Sequence, residues 1–144
     1  MGPPEIEPIG LHLARTAKAV SRAFDEALVE AGGSLPVWLI LVSIKSKAHD
    51  AQRELAEAVG VEGPTLTHHL NRMETAGLVT RRRDPANRRV HLVELTPLGE
   101  TTFLKLRHAV MAFDQRLRTG LTDRQLTQVR RVLDRLGANV RKDG

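Results

Sequence analysis

The stretch from Gln52 to Thr96 constrains the fold of this chain more than any other part of the sequence. Two short amphipathic helical patterns come first, joined by a glycine-containing turn. Two strand patterns follow around a basic turn, and a Thr-Pro pair then opens another helix. This order predicts a helix-turn-helix followed by a β-hairpin wing, an arrangement that presents one helix and one basic loop to a DNA duplex.

The second helix of this stretch, from Pro64 to Ala76, is closely delimited. Gly63 is its predicted N-cap, and Gly77 is predicted to end it in the left-handed conformation. Apolar residues at helical spacing are predicted to face the core, namely Leu66, Leu70 and Met73. The opposite arc is polar and almost without acids, which favours contact with DNA over the alternative of a solvated face. The predicted DNA-contacting residues of this helix are Thr65, Thr67, His68, His69, Asn71 and Arg72.

The predicted wing concentrates the positive charge of the chain. From Arg72 to Arg89 there are six arginines and two acidic residues, a net charge of +4 in a chain whose total is +5. The residues 84–87 have turn chemistry, because proline presets φ and Asp and Asn bond their own backbone. Arginines gathered on a hairpin beside a helix-turn-helix favour phosphate contact over the alternative of a solvated turn. The predicted DNA-contacting residues of the wing are Arg82, Arg83, Asp84, Asn87, Arg88 and Arg89.

The segment ELAEAVGVEGPTLTHHLNRMETAGLVTRRRDPANRRVHLVELTPLGE resembles the winged-helix core of the MarR/SlyA family of bacterial transcriptional regulators. The resemblance is carried by Leu55-Ala56, Val61, Pro64, Leu66, Leu70, Glu74, Gly77-Leu78-Val79, Asp84, Arg88-Arg89, Leu95-Thr96 and Gly99. It implies a mainly α fold with a small β-hairpin wing, in one MarR-like domain over residues 1–144. Within it, residues 34–96 would form the DNA-binding core, and residues 9–31 and 97–142 the dimerisation helices.

The resemblance also implies roles for single residues. Arg89 falls where the family's minor-groove arginine lies, and relatives usually carry Asp where this chain has Asn87. His68 stands where relatives commonly place a longer Arg. The cleft between the dimerisation helices and the core often takes small aromatic acids in the family. The matching ligand positions here are His12, Arg15 and Lys18, near Trp38. The alternative is that Trp38 packs in the core and that these cations are solvated surface residues.

Apolar residues at the two ends of the chain recur every three or four positions. The predicted seams run from Leu13 to Ala31, from Phe103 to Leu117 and from Leu126 to Val140. Narrow seams of this kind are typical of helices that bury against a partner helix. A second copy of the chain is the simplest partner, so a homodimer is predicted, and packing within one chain is the alternative.

The composition excludes several classes of protein. A pI near 10.4 indicates an anionic partner, and arginine greatly outnumbers lysine, which favours planar contacts to phosphate and guanine. The absence of cysteine excludes disulfides, thiolate metal sites and cysteine-based peroxide sensing. No apolar run approaches ~20 residues and no secretory signal begins the chain, so a cytoplasmic protein without a membrane partner is expected.

Six histidines are scattered without metal-ligand spacing, and no catalytic constellation or phosphate loop stands out. Neither a cofactor, a metal nor an enzymatic activity is therefore expected. The sequence predicts a homodimeric DNA-binding regulator, a repressor that a small aromatic acid-like ligand releases from a palindromic operator in double-stranded DNA. A metal-responsive regulator and an architectural DNA-binding protein without a ligand are the alternatives.

Overall fold

The computed structural model describes residues 6–46, 52–88 and 91–142, and it confirms a mainly α fold with a small β-hairpin. The helices are α1 (Ile9–Glu30), α2 (Leu35–Lys45), α3 (Gln52–Val59), α4 (Gly63–Thr75), α5 (Pro97–Leu117) and α6 (Asp123–Val140). Strands β1 (Val79–Arg83) and β2 (His91–Leu95) pair antiparallel, with Val79 opposite Leu95 and Arg83 opposite His91. The helix-turn-helix is α3 and α4, and the hairpin is the wing.

The chain divides into two compact units, Met1–Val110 and Met111–Gly144. The first contains the main core, to which α1 to α5 and both strands contribute. Its buried residues are Leu28, Ile40, Leu41, Ile44, Leu55, Leu66, Leu70, Met73, Val79, Val93, Phe103 and Leu106. In the second unit Phe113 is buried, whereas α6, all of whose residues are described, has no buried residue. The core of the first unit therefore fixes the position of α4 and the hairpin.

The glycine that ends α4 was predicted correctly, but the N-cap of this helix was not, and the last helical residue is Thr75 rather than the predicted Ala76. Gly63 is the first helical residue and Glu62 is the N-cap, so the prediction of Gly63 as N-cap was wrong. The Leu66 amide already donates to the Glu62 carbonyl at 3.0 Å, which begins the helix one residue earlier. At the other end, Gly77 has a φ of 78° and the Leu78 amide donates to the Met73 carbonyl, a Schellman ending.

The other helix ends follow local signals. In the sequence, Ser34 and the pair Thr122 and Gln125 precede apolar helical patterns, which predicts a cap at each place. Ser34 caps α2 by accepting a hydrogen bond from the Val37 amide, and Thr122 and Gln125 form a capping box at the start of α6. Gly120 in the sequence predicts that α5 ends near Thr119, but the helix ends at Leu117, because a tight turn follows it. Asp50 is the cap that the sequence predicts for α3, and it lies outside the described residues.

Two core positions differ from the pattern read from the sequence. Leu28 is fully buried although it lies beside the predicted α1 seam, and Leu13 at the start of that seam is exposed. The sequence alternation of the second strand places Val90 and Leu92 on one face, but among the described side chains of β2 the buried residue is Val93 on the opposite face. In both cases contacts with other elements, rather than the local spacing of apolar residues, decide which face is buried.

A close junction joins the end of α4, the start of β1 and the start of α5. The Thr96 hydroxyl donates to the Gly77 carbonyl and accepts from the Gly99 amide at 3.0 Å, while the Thr96 amide donates to the Leu78 carbonyl. A Cβ atom on Gly99 would lie 2.1 Å from the Leu78 carbonyl oxygen. Only glycine therefore fits at this position without a shift of the backbone.

Among the described residues, no single helix is both long enough and apolar enough to cross a membrane. The bent pair α1 and α2 meets that test jointly, by length and composition alone, with an angle of 75° between the two helices.

Candidate nucleic-acid interface

The six residues predicted to contact DNA from the second helix lie together on the outer arc of α4. Thr65, His68, Asn71 and Arg72 are exposed, and Thr67 and His69 are half-buried at the edges of the arc. Leu66, Leu70 and Met73 are buried on the opposite side, as predicted. The apolar stripe holds α4 against the core, and this packing turns the polar side chains outward as one surface.

Side chains along this arc differ in how much freedom they have. The Thr67 hydroxyl donates to the Gly63 carbonyl at 3.0 Å, so it is engaged with its own helix. The rings of His68 and His69 lie 5.9 Å apart and are tilted by 55°. Neighbouring residues on a helix point about 100° apart, so these two histidines present different surfaces. Of the two, His68 is the more exposed.

The hairpin turn has the chemistry predicted from its sequence. The Asp84 carboxylate accepts from the Ala86 amide at 2.9 Å, and the Asp84 carbonyl accepts from the Asn87 amide at 3.2 Å. Across the turn, Arg83 donates to the Arg88 carbonyl at 3.3 Å. Asp84 thus shapes the turn. The acceptor of Arg83 is a neutral carbonyl, which does not offset the positive charge of the guanidinium. Arg89, the predicted minor-groove residue, lies outside the described residues.

Arg82 is less available to phosphate than its sequence position indicates. Its guanidinium forms a two-point contact with the Glu94 carboxylate on β2, with Nε and Nη2 at 2.9 Å and 2.7 Å from Oε1. Both side chains are about half exposed, so solvent screens the pair. The negative charge of Glu94 nevertheless offsets part of the positive charge that was assigned to the wing.

Sequence reasoning missed Arg81. This arginine shares the core-facing side of β1 with buried Val79 and pairs across the sheet with Val93, so only 20% of its side chain is exposed. Its Nη2 atom donates to Asn71 Oδ1 at 2.5 Å and to Glu74 Oε1 at 3.0 Å. The alternation of a strand that starts at Val79 was the signal that could have identified it. Arg81 therefore links the wing to α4.

Arg81 also lowers the pKa of the Glu74 carboxyl, first through its hydrogen bond and then through its positive charge. Because folding lowers this pKa, the pair stabilises the fold above the ordinary Glu value, and that contribution is lost as pH falls through the lowered value. We expect the Glu74 carboxyl to titrate below 4.5 in the unmodified protein and closer to 4.5 in Arg81→Ala. Carboxyl carbon shifts followed by NMR measure this difference. The Arg82→Ala control removes a neighbouring charge that pairs with Glu94 instead, and equal Glu74 titration in all three proteins would contradict the prediction.

The four residues predicted to bind a ligand lie on two helices, α1 and α2. The Trp38 ring is half-buried and stacks on Phe103, with centroids 5.5 Å apart and planes 9° apart, so it packs within the core. His12, Arg15 and Lys18 are exposed on α1, where Arg15 pairs with Glu7. Three cavities are bounded by described residues, one beside α4, one between α1 and α5 and one along α6, and none of these four residues lines them. Within the described residues no group of three His, Asp or Glu side chains could hold a metal ion.

Comparisons with known proteins agree with this geometry. A sequence model of the MarR family matches residues 34–91. A candidate transcriptional regulatory protein for the hcr operon of Thauera aromatica is 29% identical over 129 residues, which are 89% of this chain and 78% of that protein. Among solved structures, a mutant of E. coli MarR complexed with operator DNA is similar, with a TM-score of 0.79 and 25% identity over 90% of this chain and 93% of the other.

CouR from Rhodococcus jostii RHA1, solved bound to p-coumaroyl-CoA, is also similar. Its TM-score is 0.76 and its identity 28%, over 90% of this chain and 92% of the other. The family match covers the helix-turn-helix and the first half of the wing, and the structural matches extend the likeness to the flanking helices. The chain with its polar recognition arc and arginine-rich wing belongs to the MarR family of DNA-binding transcriptional regulators, which are not enzymes.

Proposed function

We propose that this protein is a homodimeric, sequence-specific repressor that binds a palindromic operator and leaves it when a small aromatic acid-like ligand binds. The observation that carries the proposal is the exposed arc of α4. This arc has several hydrogen-bond donors and almost no acidic side chains, and it lies beside the arginine-rich hairpin. An arc of this kind fits the major groove, and a basic hairpin fits the neighbouring minor groove. The similarity to MarR complexed with operator DNA supports this docking.

The proposed dimer rests on apolar side chains that a single chain leaves exposed. On α1 these are Ile9, Leu11, Leu13 and Val29, and on α6 they are Val129, Val132, Leu133 and Val140. Apolar faces at both ends of the chain would be covered by the same faces of a second copy. In this proposal residues 34–96 are the DNA-binding core of a single domain, and residues 9–31 and 97–142 hold two such cores at a fixed spacing.

The roles proposed for the wing follow from its charge distribution. Arg83 and Arg88 are the described arginines that we assign to phosphate, because Arg81 and Arg82 share their charge with Glu74 and Glu94. For Arg89 the proposal rests on the sequence alone, which places it where the family has its minor-groove arginine. A narrow A·T-rich groove attracts such an arginine through its concentrated negative potential.

The ligand response is proposed at a cavity that borders α4. This cavity has a volume of about 480 Å³ and is lined by His69, Arg72 and Met73 of α4 and by the glycines and Ser34 that lead into α2. A carboxylate bound beside Arg72 would be paired with a cation, and the ligand would touch the helix that reads DNA. CouR bound to p-coumaroyl-CoA is the relative that favours an aromatic acid or its thioester as the effector.

Selection of bound fragments from random DNA, followed by footprinting, tests the proposed function. We expect a short palindrome whose half-sites lie about 10 base pairs or a multiple apart, since two equal subunits read successive major grooves. Sequence-independent coverage would identify an architectural protein instead. Aromatic acids and their thioesters are then titrated into the complex, and release of the DNA is the expected result. Release by a chelator alone would indicate a metal-responsive regulator.

His68 gives a more specific prediction within this proposal. We expect His68→Ala to weaken binding to the selected operator by ~1–3 kcal/mol and to random DNA only slightly, because one base-edge contact is lost. Thr75→Ala is the matched control, since Thr75 is exposed on the same helix at the end remote from the base edges. Competition binding on both DNAs measures the difference. An equal loss on the two DNAs would make His68 a phosphate contact.

A further inference from the structure

The contact between Arg81 and Asn71 fixes which end of the Asn71 amide faces outward. Arg81 Nη2 lies 2.5 Å from Asn71 Oδ1, and the exposed Asn71 is one helical turn from His68 on the polar arc. A guanidinium has only N–H donors, so the amide atom that faces it has to be the oxygen. The carbonyl of Asn71 therefore points towards the hairpin, and its NH₂ group is the end left for another partner.

Arg81 is held in place by its surroundings. Its side chain is only 20% exposed, and it lies on the side of β1 that also buries Val79. The Glu74 carboxylate accepts from the same Nη2 atom at 3.0 Å and stands one helical turn after Asn71 on α4. A guanidinium bound by two acceptors on one helix has little freedom to release the amide, because each contact keeps the other aligned.

We propose that Asn71 reads the operator as a donor only, with a preference for guanine over adenine that Arg81 imposes. This inference rests on the proposed docking of α4 in a major groove. An asparagine that recognises adenine uses its carbonyl to accept from N6 and its NH₂ to donate to N7. In this protein the carbonyl is held by Arg81. The remaining NH₂ matches the neighbouring O6 and N7 acceptors of guanine, whereas the N6 amino group of adenine would face another donor.

In this scheme Arg81 is a positioning residue rather than a DNA contact. Its charge is shared with Glu74, and its side chain is mostly covered, unlike that of Arg82, which is about half exposed on the other face of the same strand. Loss of Arg81 should therefore change which base is preferred at one base pair. Loss of an exposed arginine should weaken binding to all sequences alike.

The test uses the full chain and begins by locating the base pair that Asn71 reads. Selection from random DNA is run with the unmodified protein and with Asn71→Ala, and the position at which the preference disappears is identified. Dissociation constants are then measured on operators that differ only by guanine or adenine at that position. We expect the unmodified protein to favour guanine by about 5- to 150-fold, the range of a good base contact. In Arg81→Ala the amide is free to turn, and the ratio should fall to about one or invert.

Arg82→Ala is the matched control, because it removes one positive charge from the same strand and pairs with Glu94 rather than with α4. We expect any change in affinity to be the same on both operators, so that the guanine-to-adenine ratio is unchanged. Asn71→Asp is the second variant, which keeps an acceptor for Arg81 and presents an oxygen instead of NH₂. It should lose the guanine preference and favour cytosine, whose N4 amino group is a donor.

A preference of the unmodified protein for adenine at this position would overturn the inference. An unchanged guanine-to-adenine ratio in folded Arg81→Ala would also overturn it. If Arg81→Ala does not fold, the base preference of Asn71→Asp is the deciding measurement. A guanine preference that Asn71→Asp retains would overturn the inference. If the unmodified protein and Asn71→Ala select the same palindrome without a difference, Asn71 is not a reader and the proposed function stands. If the unmodified protein selects no sequence, the proposed function and this inference fall together.

Discussion

Replacing Val132 and Leu133 together with aspartate is expected to convert the protein to a folded monomer that no longer binds its operator. In the single chain these side chains are 57% and 45% exposed, so the fold of one chain does not depend on burying them. In a two-fold dimer each substitution occurs twice, and unpaired carboxylates at a buried interface cost several kcal/mol. Since 1.4 kcal/mol is a factor of ten, we expect the dimer dissociation constant to rise by roughly 1,000-fold or more.

Sedimentation over a range of concentrations measures this change, and circular dichroism establishes that the variant is folded. Thr127→Asp is the matched control, because Thr127 is exposed on the other side of α6 and the substitution adds the same kind of charge. This control should remain a dimer and bind DNA normally. A stable monomer of the unmodified chain at micromolar concentration would contradict the proposed dimer, and so would a fully dimeric Val132→Asp, Leu133→Asp variant.

Gly99→Ala is expected to give the second largest effect, on stability rather than on assembly. The new Cβ atom would lie 2.1 Å from the Leu78 carbonyl oxygen, and a backbone atom cannot move aside as a flexible side chain can. Overpacking of this kind costs ~1–3 kcal/mol and occasionally more. We expect about 3 kcal/mol here, which for a chain of this size lowers the melting temperature by roughly 6–12 °C.

The Gly99→Ala substitution should also weaken DNA binding. The Thr96 hydroxyl joins the Gly77 carbonyl at the end of α4 to the Gly99 amide at the start of α5, so a backbone shift at Gly99 displaces the C-terminal end of α4. Gly63→Ala is the control for stability, because a Cβ atom there would meet nothing within 4 Å and alanine favours a helix. Thermal unfolding of both variants decides the question, and a Gly99→Ala melting temperature within about 2 °C of the unmodified protein would refute the predicted strain.

Much of the fold could be predicted because its signals act over a few residues. Gly77 ends α4 where a left-handed residue was predicted, and Ser34 and Thr122 cap the helices that their positions indicated. The buried stripe of α4 was also predicted, because its spacing repeats with the period of the helix. The Gly63 cap was wrong by one residue, since glycine and proline are both acceptable where a helix starts and neither fixes the first hydrogen bond.

The candidate site was predictable as a surface but not as a set of contacts. The polar arc of α4 faces outward because its opposite stripe is buried, and this follows from the sequence alone. The pairing of Arg82 with Glu94 was not predicted. These residues are 12 positions apart in the sequence, and only the register between β1 and β2 brings them together. The stacking of the Trp38 ring on Phe103 was not predictable either, since the two residues lie on helices that are far apart in the sequence.

The sequence by itself determined the order of elements, the family and the face of α4 that is available to DNA. Each of these depends on helical period, on capping or on turn chemistry, which are properties of neighbouring residues. Only the tertiary structure decided that Leu28 enters the core, that Val93 rather than Leu92 is buried, and that Arg81 holds Asn71 and Glu74. A long side chain takes the partner that packing brings within its reach, and that distance depends on how whole elements are placed rather than on the residues beside it in the chain.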